Sequence, residues 1–191
     1  VGYQFRPAVD GVPSLPGPEP MPRQSKPLHI FFPRMVALQA DYAQGLLKGL
    51  GLKNDPVLAM VGIDNESSLL HAWQRGLLDR VLVGAYGAEL KAQWNEFLRS
   101  RYGTTEEVCA AWKDCQPGEN LQAGFALVSY TRQPSPRVHD YLAFLEDRDR
   151  AYLEHIASVV RQVAGPLVPV TGTQLTYGGP LNYDSHATLD Y

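Results

Sequence analysis

Several simple function classes lack their usual marks in this chain. Cysteine is scarce, with two in 191 residues, too few for a disulfide scaffold or a Cys-rich metal module. Charged residues make up only 19% and the net charge is -3. No block of Lys or Arg occurs, which argues against a nucleic-acid or anionic-membrane surface. No apolar run reaches the roughly 18 residues that a membrane span needs. Both phosphate-binding fingerprints are missing, and Gly178-Gly179-Pro180 reads as a turn. His71, His139 and His155 have no partners at ligand spacing, so no metal is expected, and no cofactor is implied. There is neither an initiator Met nor a signal peptide at Val1-Gly2-Tyr3. Ala187 to Tyr191 reads as the start of a third strand. Both ends therefore look like cuts through ordered elements, and the expectation is an internal fragment. Compartment and oligomeric state stay open.

What the chain does have is enough apolar material for a core, 45% of residues. Residues 1–33 hold 8 of the 15 prolines; this reads as a long loop, neither helix nor central strand. Met35, Leu38, Tyr42 and Leu46 recur at helical spacing, predicting a helix over about 34–50 that Gly49 and Gly51 end. Val57 to Ile63 is a continuous apolar run, the pattern of a strand buried on both faces of a parallel sheet. A short helix through Leu69, Leu70 and Trp73 follows. Helices are then expected over about 87–101, from the Thr104/Glu107 capping box to about Lys113, and over about 137–163, with loop between at 114–136. Leu167 to Gln174 is a second short strand, and 175–186 reads as loop. Strands alternating with helices give an α/β class with a parallel sheet. Cys109 and Cys115 straddle a helix end; pairing is possible, but two buried free thiols are favoured.

The polar cluster Asp64-Asn65-Glu66-Ser67 sits at the C-terminal end of the first strand. Parallel α/β folds place their sites there. A desolvated carboxylate at that point can serve as a general acid, and the Asn before it can bond a sugar hydroxyl. An equally weighted reading is that Asp64 or Asn65 caps the next helix and Glu66 favours its N-terminus.

Three stretches bear on that choice: Phe32-Pro33-Arg34-Met35 through Ala43, Asn54-Asp55-Pro56 through Ser67, and Trp94-Asn95-Glu96-Phe97 through Gly103 with Ala111-Trp112. Together they resemble glycoside hydrolases with a (β/α)8 barrel, most like the family 42 β-galactosidases and related family 5-like enzymes of the same clan. Thr171-Gly172-Thr173-Gln174 is similar to the end of the next barrel strand. The resemblance implies a partial (β/α)8 TIM barrel, about strands 4 to 6 with their helices. Residues 1–33 would be a Pro-rich loop after a preceding strand, and 34–191 the β/α units. It also implies a retaining β-glycosidase, β-galactosidase-like, with Glu66 as general acid/base and Asn65 on the sugar 2-hydroxyl. Retention needs a second carboxylate about 5–5.5 Å away as nucleophile; the resemblance puts it on a later strand, outside this chain. A carbohydrate is then the partner, with no nucleic acid or membrane. The rival reading is a non-catalytic carbohydrate-binding remnant or pseudoenzyme.

Thr173 and Gln174, at a strand end, and His186 with Asp184 are further candidates to line the cleft. Tyr177, Tyr183, Trp73 and Tyr86 could offer aromatic faces to a sugar. Helical phase assigns Trp94 and Trp112 to the core. Glu89, Glu96, Glu106, Glu107, Glu146 and Glu154 read as solvated helix faces.

Overall fold

A computed structural model describes residues 3–19, 21–22, 25–65, 67–173 and 181–190. It is mostly helical, with a small two-stranded sheet. The organising element is a 29-residue helix, α8 as numbered here, Pro136–Ala164. Ser135 starts it by accepting from the Val138 N–H, and Pro136 occupies its first turn, where a missing N–H costs nothing. Its stripe of Val138, Tyr141, Leu145, Tyr152, Ile156 and Val159 is buried. Gly165 stops it at φ 128. A side chain there would also meet Asn54 Oδ1 at 2.7 Å, so the turn that follows needs glycine.

Before it in the chain come α1 (Pro7–Asp10), α2 (Leu28–Phe31), α3 (Pro33–Gly49), β1 (Val61–Asn65), α4 (Leu69–Gln74), α5 (Leu78–Val81), α6 (Gly84–Tyr102) and α7 (Thr105–Trp112); after it come β2 (Val170–Thr173) and α9 (Leu181–His186). β1 and β2 run parallel, with Val61 opposite Val170 and Asn65 opposite Thr173, and a bulge between Gly62 and Asp64. One face of the pair lies on α8 and α3. There Val61, Ile63 and Val170 join Leu47, Ala157, Val160 and Ala164.

The larger core is aromatic. Trp94 of α6 stacks on Trp112 at 5.9 Å and meets the Tyr141 ring edge-on at 5.2 Å. Both tryptophans are core residues, as their phase indicated. The buried Asp140 carboxylate accepts from Tyr102 OH and Trp112 Nε1, each at 2.6 Å, and pairs with Arg101. The capping box forms as read, Thr104 with Glu107. Arg137 lies over Trp112 and pairs with Asp114 and Glu119, tying the 114–135 loop to α8. That pairing holds the Glu119 carboxyl down to about 2.

Several expectations are corrected. Residues 1–33 are not all loop, since α1 and α2 lie within them. The first strand spans 61–65, not 57–63. Asp55 accepts from the Val57 N–H and spends the start of the apolar run on a turn, leaving Val57 85% exposed. Nor is the strand buried on both faces, because Gly62 is exposed. The stretch 175–186 holds α9 within its described part. No third strand forms among residues 187–190. Instead Asp190 meets the β2 edge, its N–H donating to Val170 O and its carboxylate accepting from Val170 N–H and Arg161. Cys109 and Cys115 are joined in a disulfide rather than free. Lys113, at φ 62, turns the chain so that the two Cα atoms lie 5.4 Å apart, within bridging range.

Candidate functional site

The strand ends define the site. Both strands point their C-terminal ends the same way, so Asn65 and Thr173 are backbone neighbours. The side chains of Asn65 and Thr173 lie outside the described residues, as do Glu66, Gln174 and Tyr177 altogether.

Around the end of β1 the described side chains form a connected polar network. Ser67 donates to Asp64 Oδ1 at 2.5 Å. A hydroxyl has one proton, so at the 3.2 Å contact between His29 Nε2 and Ser67 Oγ the imidazole is the donor. Burial, with the charge of Lys26, pushes His29 down to about 4, which keeps its ring neutral near pH 7. The ring stacks on Tyr152 at 6.0 Å. Tyr152 OH donates to Gln39 Oε1 at 2.8 Å, and the Gln39 amide donates back to His29 O. Burial and the charge of Asp64 raise the Tyr152 phenol.

One step further along the chain, Ser68 caps α4 by accepting from His71 N–H. The capping reading of Asp64 or Asn65 is thereby corrected, because both belong to the strand. Ser68 Oγ donates to Asp149 Oδ2 at 2.7 Å. The N–H groups of Leu69 and Leu70 reach the same carboxylate at 2.8 and 3.3 Å. Burial outweighs these three bonds, and with the charge of Asp64 it lifts Asp149 to about 7 from its usual 3.8. The sign follows. Between pH 4 and 7 the folded protein keeps a proton that the unfolded chain has lost, so this group lowers stability as pH rises. The thermal midpoint of the wild type minus that of Asp149→Asn is expected to fall across this window and level off above pH 7. A difference that grows with pH would mean that the hydrogen bonds dominate.

His186 is on α9, with Nδ1 3.2 Å from Ser185 Oγ. Its ring lies against the backbone of β2, where a Cβ on Gly172 would come within 2.9 Å of the His186 ring. Glycine here makes room for the imidazole. Gly172→Ala should push α9 off the strand. Backbone amide shifts are expected across residues 181–190, with those in α6 and α7 unchanged; an undisturbed α9 would refute the contact.

Other candidates move. Trp73 is buried, with Nε1 donating to Val128 O at 2.6 Å, and Tyr86 is buried, donating to Pro13 O at 2.5 Å. Neither can present a face to a sugar. Tyr183 is 68% exposed and Asp184 is exposed. Asp149, His29 and Ser68 were missed by sequence reasoning. Asp149 had a usable signal: it follows Leu145 by four and precedes Tyr152 by three, in phase with the buried stripe of α8.

Among the described residues no group of three or more His, Cys, Asp or Glu side chains could hold a metal. Among them, too, no helix is long and apolar enough to cross a membrane.

No protein-family model matches the chain, and a search of curated proteins finds no match either. Solved structures do resemble it. An agarase, AgWH50C, superposes with a TM-score of 0.60 at 20% identity, over 85% of this chain and 24% of that one. PfGH50B gives 0.62 at 16% identity, over 84% and 24%. An exo-beta-agarase gives 0.61 at 19% identity, over 84% and 22%. The chain shares its fold with a portion of these glycoside hydrolases and spans about a quarter of their length.

Proposed function

We infer that this chain is part of a retaining β-glycosidase, with β1 and β2 as adjacent strands of a (β/α)8 barrel. The substrate is a β-linked carbohydrate, of the galactoside or agarose kind. Glu66 protonates the leaving oxygen and then deprotonates the attacking water. Asn65 holds the 2-hydroxyl of the sugar being cleaved. Thr173, Gln174, Tyr177 and His186 line the same end of the sheet, and the nucleophile comes from a later strand outside this chain.

The observation that carries this reading is the parallel pairing that sets Asn65 beside Thr173 at the C-terminal end of both strands. The likeness in fold to agarases supports it. So does the polar network at that end, which contrasts with the apolar packing of Val61 and Val170 at the other.

The test is hydrolysis by the full-length protein of aryl β-galactosides and of agaro-oligosaccharides. Release of reducing sugar from either, lost on Glu66→Gln, supports the reading. Binding without cleavage would favour a sugar-binding role.

A further inference from the structure

An aspartate in the middle of a long helix, on its buried stripe, is an expensive choice. Asp149 is 3% exposed, and Leu145 and Tyr152 flank it on that stripe. Its carboxylate takes its bonds from one short stretch, the Ser68 hydroxyl and the N–H groups of Leu69 and Leu70, about 80 residues earlier in the chain. That stretch begins two residues after Glu66. Leu69 and Leu70 are buried, so their N–H groups would have no water to turn to if the carboxylate were gone. From the other side, Ser67 is held by Asp64 of β1 and His29 of α2. The segment leaving β1 is thus clamped on two successive serines by side chains from three elements. One of them, α8, also packs against both strands.

We propose that Asp149 is a positioning residue for the acid/base at position 66. By fixing Ser68 and the first turn of α4 to α8, it sets where the peptide leaving β1 can place the Glu66 carboxyl. This rests on the glycosidase reading above. It adds to it a residue far along the chain that never touches the sugar. Proton transfer to a leaving oxygen depends steeply on distance, and a misplacement of about 1 Å can cost about 10²-fold. A cap that serves only folding has no such link to the leaving group.

Leaving-group dependence separates the two roles. In the full-length protein, Asp149→Asn and Glu66→Gln are assayed on two β-glycosides of one sugar. One carries dinitrophenolate, which leaves without a proton; the other carries an alkoxide, which needs one. For Asp149→Asn, kcat on the alkyl glycoside is expected to fall by about 10- to 100-fold. KM for the alkyl glycoside and the dinitrophenolate burst rate, which reports only the first step, should stay within about twofold. A dinitrophenolate burst rate that falls as far as kcat on the alkyl glycoside, or no loss in either, would overturn the proposal and leave Asp149 a folding cap. If Asp149→Asn does not fold, Ser68→Ala decides, since it removes the hydroxyl partner but keeps both N–H bonds. The same selective loss, in smaller degree, is expected from it, and an unselective one refutes the link. If Glu66→Gln itself shows no leaving-group dependence, the acid/base reading fails and the Asp149 proposal falls with it. Selectivity in Glu66→Gln but not in the Asp149 and Ser68 variants overturns the positioning role alone.

Discussion

Glu66→Gln is expected to slow hydrolysis of a poor-leaving-group β-glycoside by about 10²–10⁴-fold in the full-length protein. Glutamine fills the same space but has no acidic proton to give the leaving oxygen. It also cannot take a proton from the attacking water in the second step. A dinitrophenyl glycoside needs no help in the first step, so its burst of phenolate should survive while turnover slows. A change within twofold on the poor substrate would remove Glu66 from the mechanism.

The second large effect concerns folding. Trp94→Ala should cost about 3–5 kcal/mol, because it empties the centre of the aromatic core. Trp94 is fully buried, and its ring contacts include Phe97, Trp112, Tyr141 and Phe144. A loss of that size lowers the thermal midpoint by roughly 6–20 °C. Trp94→Phe should cost far less, under about 1.5 kcal/mol. The Trp94 Nε1–H is buried and has no hydrogen-bond partner among the described residues, so phenylalanine removes an orphaned donor along with part of the ring. Calorimetry of the two variants checks the pair. Equal destabilisation would mean that the indole nitrogen is satisfied after all.

The helices were the most legible part of the chain. α8 announced itself through Val138, Tyr141, Leu142, Leu145, Tyr152, Ile156, Val159 and Val163 in helical phase and a Gly-Pro stop, and the α7 cap through Thr104 and Glu107. Both signals are local, and local signals survive in one sequence. The strands were less legible. The apolar run from Val57 to Ile63 carries no mark of where the Asp55 turn ends and pairing begins, because pairing depends on β2, more than 100 residues on. The disulfide was hidden for a similar reason. Six residues of spacing do not reveal that Lys113 adopts a left-handed turn. α9 was lost in a stretch of Asn, Tyr, Asp and Ser with weak helix preference; Pro180, just before it, was the one usable clue. At the site, the strand-end cluster could be read but its support could not. Asp149 sits in the run Glu146-Asp147-Arg148-Asp149-Arg150, which reads as a solvated face until helical phase is applied residue by residue.

The central claim is that a glycosidic bond is broken at the C-terminal ends of β1 and β2 by a double displacement. Proton NMR of the first minutes of hydrolysis tests it most directly. Full-length protein is mixed with an aryl β-galactoside or an agaro-oligosaccharide, and the anomeric signals of the new reducing end are followed before they mutarotate. The account predicts that the β-anomer appears first, and that Glu66→Gln abolishes its appearance from a substrate with a poor leaving group. The α-anomer appearing first, or β-anomer formed at an unchanged rate by Glu66→Gln, would contradict it.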